Sequence, residues 1–159
     1  MSLDNIDLGI FQENNVNDGI YTCGSAGSIV VTTDAPIQHH GGVAVFYWPA
    51  LHFAVKAVQQ FGPNVVGFQM ATGEQRWYIL GCYLAPKDTS TVESVVDALK
   101  ERPWGAELLV AGDFNVKLSE TEGDRRGDDI AAALATEGLE DMLVHFLPRR
   151  NSWCRDGRT

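Results

Sequence analysis

The residues best placed to do chemistry lie in the run 108–115, LLVAGDFN. An apolar strand ending in Gly-Asp-x-Asn sends Asp113 and Asn115 to one side of the strand end, because alternate residues of an extended chain point the same way. A carboxylate there can take a proton from water or a hydroxyl, or help hold a divalent cation. The neighbouring amide can donate hydrogen bonds to a phosphoryl oxygen as negative charge builds on it. Asp and Asn also make Asx turns after strands, and the segment by itself supports both readings.

The elements that must position this pair are mostly strands. Ile6, Leu8 and Ile10 alternate through 6–12, the pattern of a strand with one buried face. SIVVTT at 28–33 reads as a second strand, its valines favouring the pleated backbone. Gly41 and Gly42 open a third at 43–48, closed by Pro49. The stretch 51–58 fits either a strand or a helical turn. Runs 65–70 and 76–83 flank ATGEQ, whose glycine and short polar residues suit a hairpin turn. Helical spacing appears twice. Val92, Val95, Val96 and Leu99 recur at three- and four-residue steps through 91–102, with Ser90 or Thr91 as the cap and Pro103 beyond the end. Ile130, Ala133 and Leu134 do the same in 128–137, with acids in the first turn to suit the helix dipole. The strand 108–111 lies between these helices. Met142 to Phe146 forms a short apolar segment, and 152–155 begins another element. With no repeat and no interdomain linker, residues 1–159 read as a single domain layered as an α/β sandwich.

Bulk properties narrow the class. A chain of 159 residues can bury a sizeable core, and its 45% hydrophobic content with 16 glycines suits a globular protein. No run reaches the roughly eighteen apolar residues of a membrane span, and the acidic N-terminus is unlike an export signal. Cys23, Cys82 and Cys154 are odd in number and widely spaced, which points to reduced thiols in a soluble intracellular protein. A net charge of −9 argues against tight, sequence-independent nucleic-acid binding through a basic surface. Metal ions can offset that charge locally at a phosphodiester. Arg149, Arg150, Arg155 and Arg158 crowd the C-terminal end, and Arg125 and Arg126 form a smaller basic point. A solvated tail and a phosphate contact both account for them.

In order along the chain, FQE at 11–13, GGVA at 41–44, GCYLAP at 81–86, GDFN at 112–115 and NSW at 151–153 form a recognisable series. GDFN after a hydrophobic strand resembles the signature of the endonuclease/exonuclease/phosphatase superfamily, the DNase I-like metal-dependent phosphoesterases. GGVAVFY, RWYILGCYLAP and LLVAGDFN together most resemble the endonuclease domains that precede reverse transcriptases in non-LTR retrotransposons of fungal type. The resemblance runs from about Ile6 to Thr159 and implies a four-layer α/β sandwich of the DNase I-like type. It implies that Glu13 binds Mg²⁺ or Mn²⁺, hard cations that favour carboxylate oxygen. It implies that the Tyr83 hydroxyl bonds the phosphate or the attacking water, that Asp113 orients or deprotonates the nucleophile, and that Asn115 steadies the phosphoryl oxygens. Read without the resemblance, Glu13 is a surface acid at a strand end and Tyr83 a core aromatic. None of His39, His40, His52 and His145 stands where the family keeps its catalytic histidine, so none is given a role.

The family pattern extends past both ends of this chain. An earlier strand with an Asn for the metal site, and a later strand with an Asp followed by an Asp-His pair, are expected and not found. The resemblance therefore implies a domain truncated at both ends, lacking its first and last strands, with impaired catalysis. The function it implies is a metal-dependent phosphodiester hydrolase that nicks DNA, with DNA as partner, no membrane, and nuclear residence following from the substrate. Two alternatives stand beside it: a catalytically dead fragment or weak binding module, and a phosphomonoesterase or phospholipid phosphoesterase using the same site.

Overall fold

The structure is a computed structural model that describes residues 7–13, 19–23, 28–32, 41–51, 54–86, 88–116 and 125–139. The first sheet holds β1 (Leu8–Gln12), β2 (Gly19–Cys23), β3 (Ser28–Thr32) and β4 (Val43–Tyr47), ordered β1-β4-β3-β2 and antiparallel throughout. The second holds β5 (Val55–Gln60), β6 (Val65–Thr72), β7 (Gln75–Tyr83) and β8 (Glu107–Asp113) in sequence order. Its first pairs are antiparallel, but β7 and β8 run parallel, joined by the helix α1 (Ser90–Lys100). A parallel pair needs such a crossover, and the helix periodicity between two apolar strands supplies it. A second helix, α2 (Arg125–Thr136), follows β8.

Alternation along β7 decides the layering. Ile79 and Tyr83 face the first sheet and join Val43, Val45, Tyr47, Val66 and Phe68 in a core between the sheets. Tyr78, Leu80 and Cys82 face the other way, against Val95, Ala98 and Leu99 of α1 and Ile130 of α2. The order is thus sheet, sheet, helices, an α/β arrangement. A helical layer outside the first sheet, the fourth expected from the sequence, is not among the described residues. There β4 is buried on both faces, as its unbroken apolar run VAVFY requires.

Several expectations are refined. The hairpin strands continue into ATGEQ and leave Gly73-Glu74 as the turn, with Gly73 at φ 62°, the left-handed value that a II′ turn needs at its first position. The ambiguous stretch resolves into a 3₁₀ turn, Pro49–Leu51, and then β5, whose pairing slips at a bulge between Lys56 and Gln59. Strand β2 has no clear signature, since GIYTC is short and opens on a glycine. Neither Ser90 nor Thr91 caps α1. Thr89 occupies the cap position without a side-chain cap bond, and the Asp88 carboxylate takes the Ser90 N–H at 2.9 Å instead. The segments 142–146 and 152–155 lie outside the described residues.

Candidate active site

The site lies where β1, β7 and β8 end together. Parallel pairing sets Tyr83 directly beside Asp113, so both side chains leave the second sheet on the face that meets the first. The pairing continues one residue further, with the Leu84 N–H donating to the Asp113 carbonyl at 2.8 Å. Gly112 permits this approach, because a Cβ there would collide with the Cys82 carbonyl oxygen. After Asp113 the chain turns. Asn115 sits at φ 45°, and its backbone N–H donates to the Asp113 carboxylate at 3.0 Å. That is an Asx turn, so the turn reading and the site reading describe the same residues.

Glu13 comes from the other sheet. It follows β1 at φ 54°, and its carboxylate accepts a hydrogen bond from the Tyr83 hydroxyl. The two strands come this close because Gly81 has no side chain: a Cβ there would lie 2.9 Å from Ile10 Cγ2 and 3.2 Å from Val43 Cγ1. Tyr83 is a core aromatic by its ring, 1% exposed, and a site residue by its hydroxyl.

Electrostatics keep that phenol protonated. Burial pushes its pKa up, the hydrogen bond to Glu13 and the charge of Glu13 add to this, and the Asp113 charge adds more. The Asn115 amide bonds the same phenol and pulls the other way without prevailing. Tyr83 is therefore a hydrogen-bond donor held among Glu13, Asp113 and Asn115. The structure thus brings together all four residues singled out from the sequence. The Cys82 thiol, pushed up to about 12 by burial and then by the Asp113 charge, faces the helices and not the site.

Among the described residues no group of three or more His, Cys, Asp or Glu side chains gathers as a ready metal cage. Mg²⁺ does not need one, since it retains several waters and takes one or two carboxylates. Glu13 and Asp113, whose charges both act on the Tyr83 hydroxyl, carry hard oxygen donors of that kind.

Among solved structures the chain is similar to the endonuclease domain of TRAS1, a telomere-specific non-LTR retrotransposon. The TM-score is 0.58 at 24% identity, over 84% of this chain and 61% of that one. The chain has the fold of a retrotransposon endonuclease domain. It spans 61% of the length of the TRAS1 domain. A beta-hairpin deletion mutant of beta toxin from Staphylococcus aureus is also similar, at a TM-score of 0.47 and 14% identity over 83% of this chain and 60% of that one. No family model and no curated protein matches the sequence.

Around the four residues, the fold holds groups the sequence did not single out. Asn64, just before β6, is 3% exposed and bonded to Gly42, Asp88, Thr91 and Tyr83. A lone Asn after a proline reads as a loop residue, and nothing in its spacing marks it as buried. Arg126 is not a solvated charge: its guanidinium donates to the Ala85 carbonyl at 2.9 Å, tying α2 to the segment after Tyr83. Arg125 is 94% exposed and lies 3.9 Å from Asp129. His39, His40, His52, His145 and the C-terminal arginines lie outside the described residues, and no described helix is long and apolar enough to cross a membrane. A shallow groove between α1 and α2 is lined by Val92, Val96, Glu93 and Asp97, with Asp97 paired to Lys100 at 2.8 Å.

Proposed function

We propose that this chain is a divalent-metal-dependent phosphodiester hydrolase, an endonuclease domain of retrotransposon type that nicks DNA by attack of water. The observation that carries the reading is the Tyr83 hydroxyl, donated to Glu13 from one sheet and flanked by Asp113 and Asn115 from the other. Glu13, with Asp113 beside it, would hold Mg²⁺ or Mn²⁺. Bound there, the cation would polarise the phosphoryl group and neutralise charge on the leaving oxygen. Asp113 orients the attacking water and accepts its proton, while the Asx turn fixes the carboxylate through the Asn115 N–H. The Asn115 side chain donates to a phosphoryl oxygen as its charge grows. Tyr83, kept neutral, donates its single O–H to Glu13 and so braces that carboxylate, meeting the phosphate as a neutral group in place of a repelling phenolate. DNA as substrate carries nuclear residence with it.

The test is nicking of supercoiled plasmid by the purified protein in Mg²⁺. Activity present in the wild type and lost in Asp113→Ala supports the reading. No nicking above that variant sinks it in favour of a catalytically dead fragment or weak binding module. Phosphate release from small phosphomonoesters, with plasmid untouched, moves the substrate to another phosphoester.

A further inference from the structure

Asn64 is one of the two buried polar side chains among the described residues, and both the oxygen and the nitrogen of its amide are engaged. Its Oδ1 accepts the Gly42 N–H at 2.9 Å, and its Nδ2 donates to Asp88 Oδ2 at 3.4 Å and to Thr91 Oγ1 at 3.3 Å. A backbone N–H can only donate and a carboxylate can only accept, so the amide has a single orientation. The Thr91 hydroxyl in turn donates to Asp88, and the Asn64 main-chain carbonyl takes the Tyr83 N–H at 2.9 Å.

These partners belong to both halves of the candidate site. Gly42 immediately precedes β4, whose first residue Val43 pairs with Gln12, next to Glu13. Tyr83 closes β7. Asp88 and Thr91 belong to the start of α1. One buried side chain therefore bonds the strand beside Glu13 to the helix start, while its own backbone bonds Tyr83. We propose that Asn64 is a positioning residue: it sets the separation of the two sheets at the level where Tyr83 reaches Glu13. Its catalytic consequence rests on the hydrolase reading above, and its geometric consequence does not.

Asn64→Asp tests this with almost no change in shape. The acceptor for Gly42 remains, but both donors are lost and a second carboxylate faces Asp88. The exchange Asn64→Asp with Asp88→Asn restores a donor–acceptor pair in the opposite sense: the amide introduced at position 88 donates to the carboxylate introduced at position 64 and still accepts from Ser90. Two readouts are taken on the full chain. Amide hydrogen exchange follows Gly42 and Tyr83 against Val45 and Leu80 in the same sheets, and plasmid nicking gives kcat and KM separately.

Asn64→Asp is expected to speed exchange at Gly42 and Tyr83 by about tenfold or more relative to Val45 and Leu80. It is expected to lower kcat by roughly 10- to 100-fold with KM within about twofold, as for a misplaced reacting group. The exchanged pair should recover most of both. Exchange at Gly42 and Tyr83 that rises only in step with Val45 and Leu80 overturns the proposal, as does a selective rise that leaves kcat intact. If the wild type does not nick plasmid, the hydrolase reading falls, and hydrogen exchange alone decides the role of Asn64.

Discussion

Adding one methyl group at Gly81 should force the two sheets apart beside the candidate site, and a second substitution should let them close again. In Gly81→Ala the new carbon would lie 2.9 Å from Ile10 Cγ2, 3.2 Å from Val43 Cγ1 and 3.3 Å from Val66 Cγ1. Carbon contacts settle at about 3.5–4.0 Å, so the worst overlap approaches 1 Å. Ile10 cannot swing Cγ2 aside, because its β-branching ties both γ carbons to one stiff rotamer. Overpacking of this kind costs about 1–3 kcal/mol. Ile10→Ala removes the offending atom and, at a half-buried position, should cost about 1–2 kcal/mol by itself. If the overlap is real, the double variant loses about 1–2 kcal/mol less than the two single costs summed, the tighter approach to Ile10 being relieved while those to Val43 and Val66 remain. Urea unfolding of the four proteins measures it. Single costs that add within about 0.5 kcal/mol would refute the contact, and with it the claim that Gly81 sets the approach of β1 to β7. Gly112→Ala is the control: its Cβ meets the Cys82 backbone carbonyl, so no side-chain truncation should rescue it.

Asp88 gives the fold a dependence on acid. Burial alone would raise its pKa, but the Thr91 and Ser90 hydroxyls, the Ser90 N–H and the Asn64 amide outweigh burial and hold it below the ordinary aspartate value. A carboxyl depressed in the folded state stabilises above its unfolded pKa, and that contribution is lost as pH falls through the folded one. Asp88→Asn should therefore destabilise by about 1 kcal/mol at neutral pH and progressively less below about pH 4, measured by urea unfolding at each pH. A constant difference across that range would show that the charged carboxylate is not what these donors hold. Cys82 should resist alkylation. With its thiol pushed up to about 12 by burial and the Asp113 charge, a Cys23→Ser, Cys154→Ser variant should take up iodoacetamide at about pH 8 only after urea is added. Labelling of the folded protein at the rate of a free thiol overturns that burial.

The strand ends were legible in sequence for a physical reason. GDFN combines an apolar run, a glycine demanded by close backbone approach, and two residues that favour an Asx turn, so composition and geometry point the same way. The Gly73 turn and α1 were legible likewise, through positive-φ chemistry and helical spacing. What the sequence concealed depends on partners distant along the chain. Asn64 gains its meaning from Gly42 and Asp88, 22 and 24 residues away, and no local pattern encodes such a meeting. Gly81 has no local signature of its role either, which comes from Ile10 of the other sheet standing over it. Arg126 reads as a solvated charge until the Ala85 carbonyl, 41 residues away, is found beside it. Local chemistry thus marked Asp113 and Asn115, the family resemblance added Glu13 and Tyr83, and the packing of sheet on sheet shows how the four are held together.

Backbone strain separates the site from ordinary irregularity in a way that can be measured. Glu13 at φ 54° and Ala57 at φ 49° both occupy the left-handed region, where a side chain costs about 1–2 kcal/mol. Glycine relieves that strain and gives back about 0.4–1 kcal/mol through the freer unfolded chain. At Ala57, an exposed residue within the β5 bulge, nothing else changes, so Ala57→Gly should stabilise by about 0.5 kcal/mol. At Glu13 the same relief comes with loss of the acceptor for a buried Tyr83 hydroxyl, worth about 1–3 kcal/mol when left unmet. Glu13→Gly should therefore destabilise by about 1 kcal/mol despite the easier backbone. The difference between the two glycine variants in urea unfolding is then a direct measure of the Glu13–Tyr83 contact. Equal stabilisation by both would mean that the contact contributes nothing, and that Glu13 and Tyr83 do not form the pair on which the site is built.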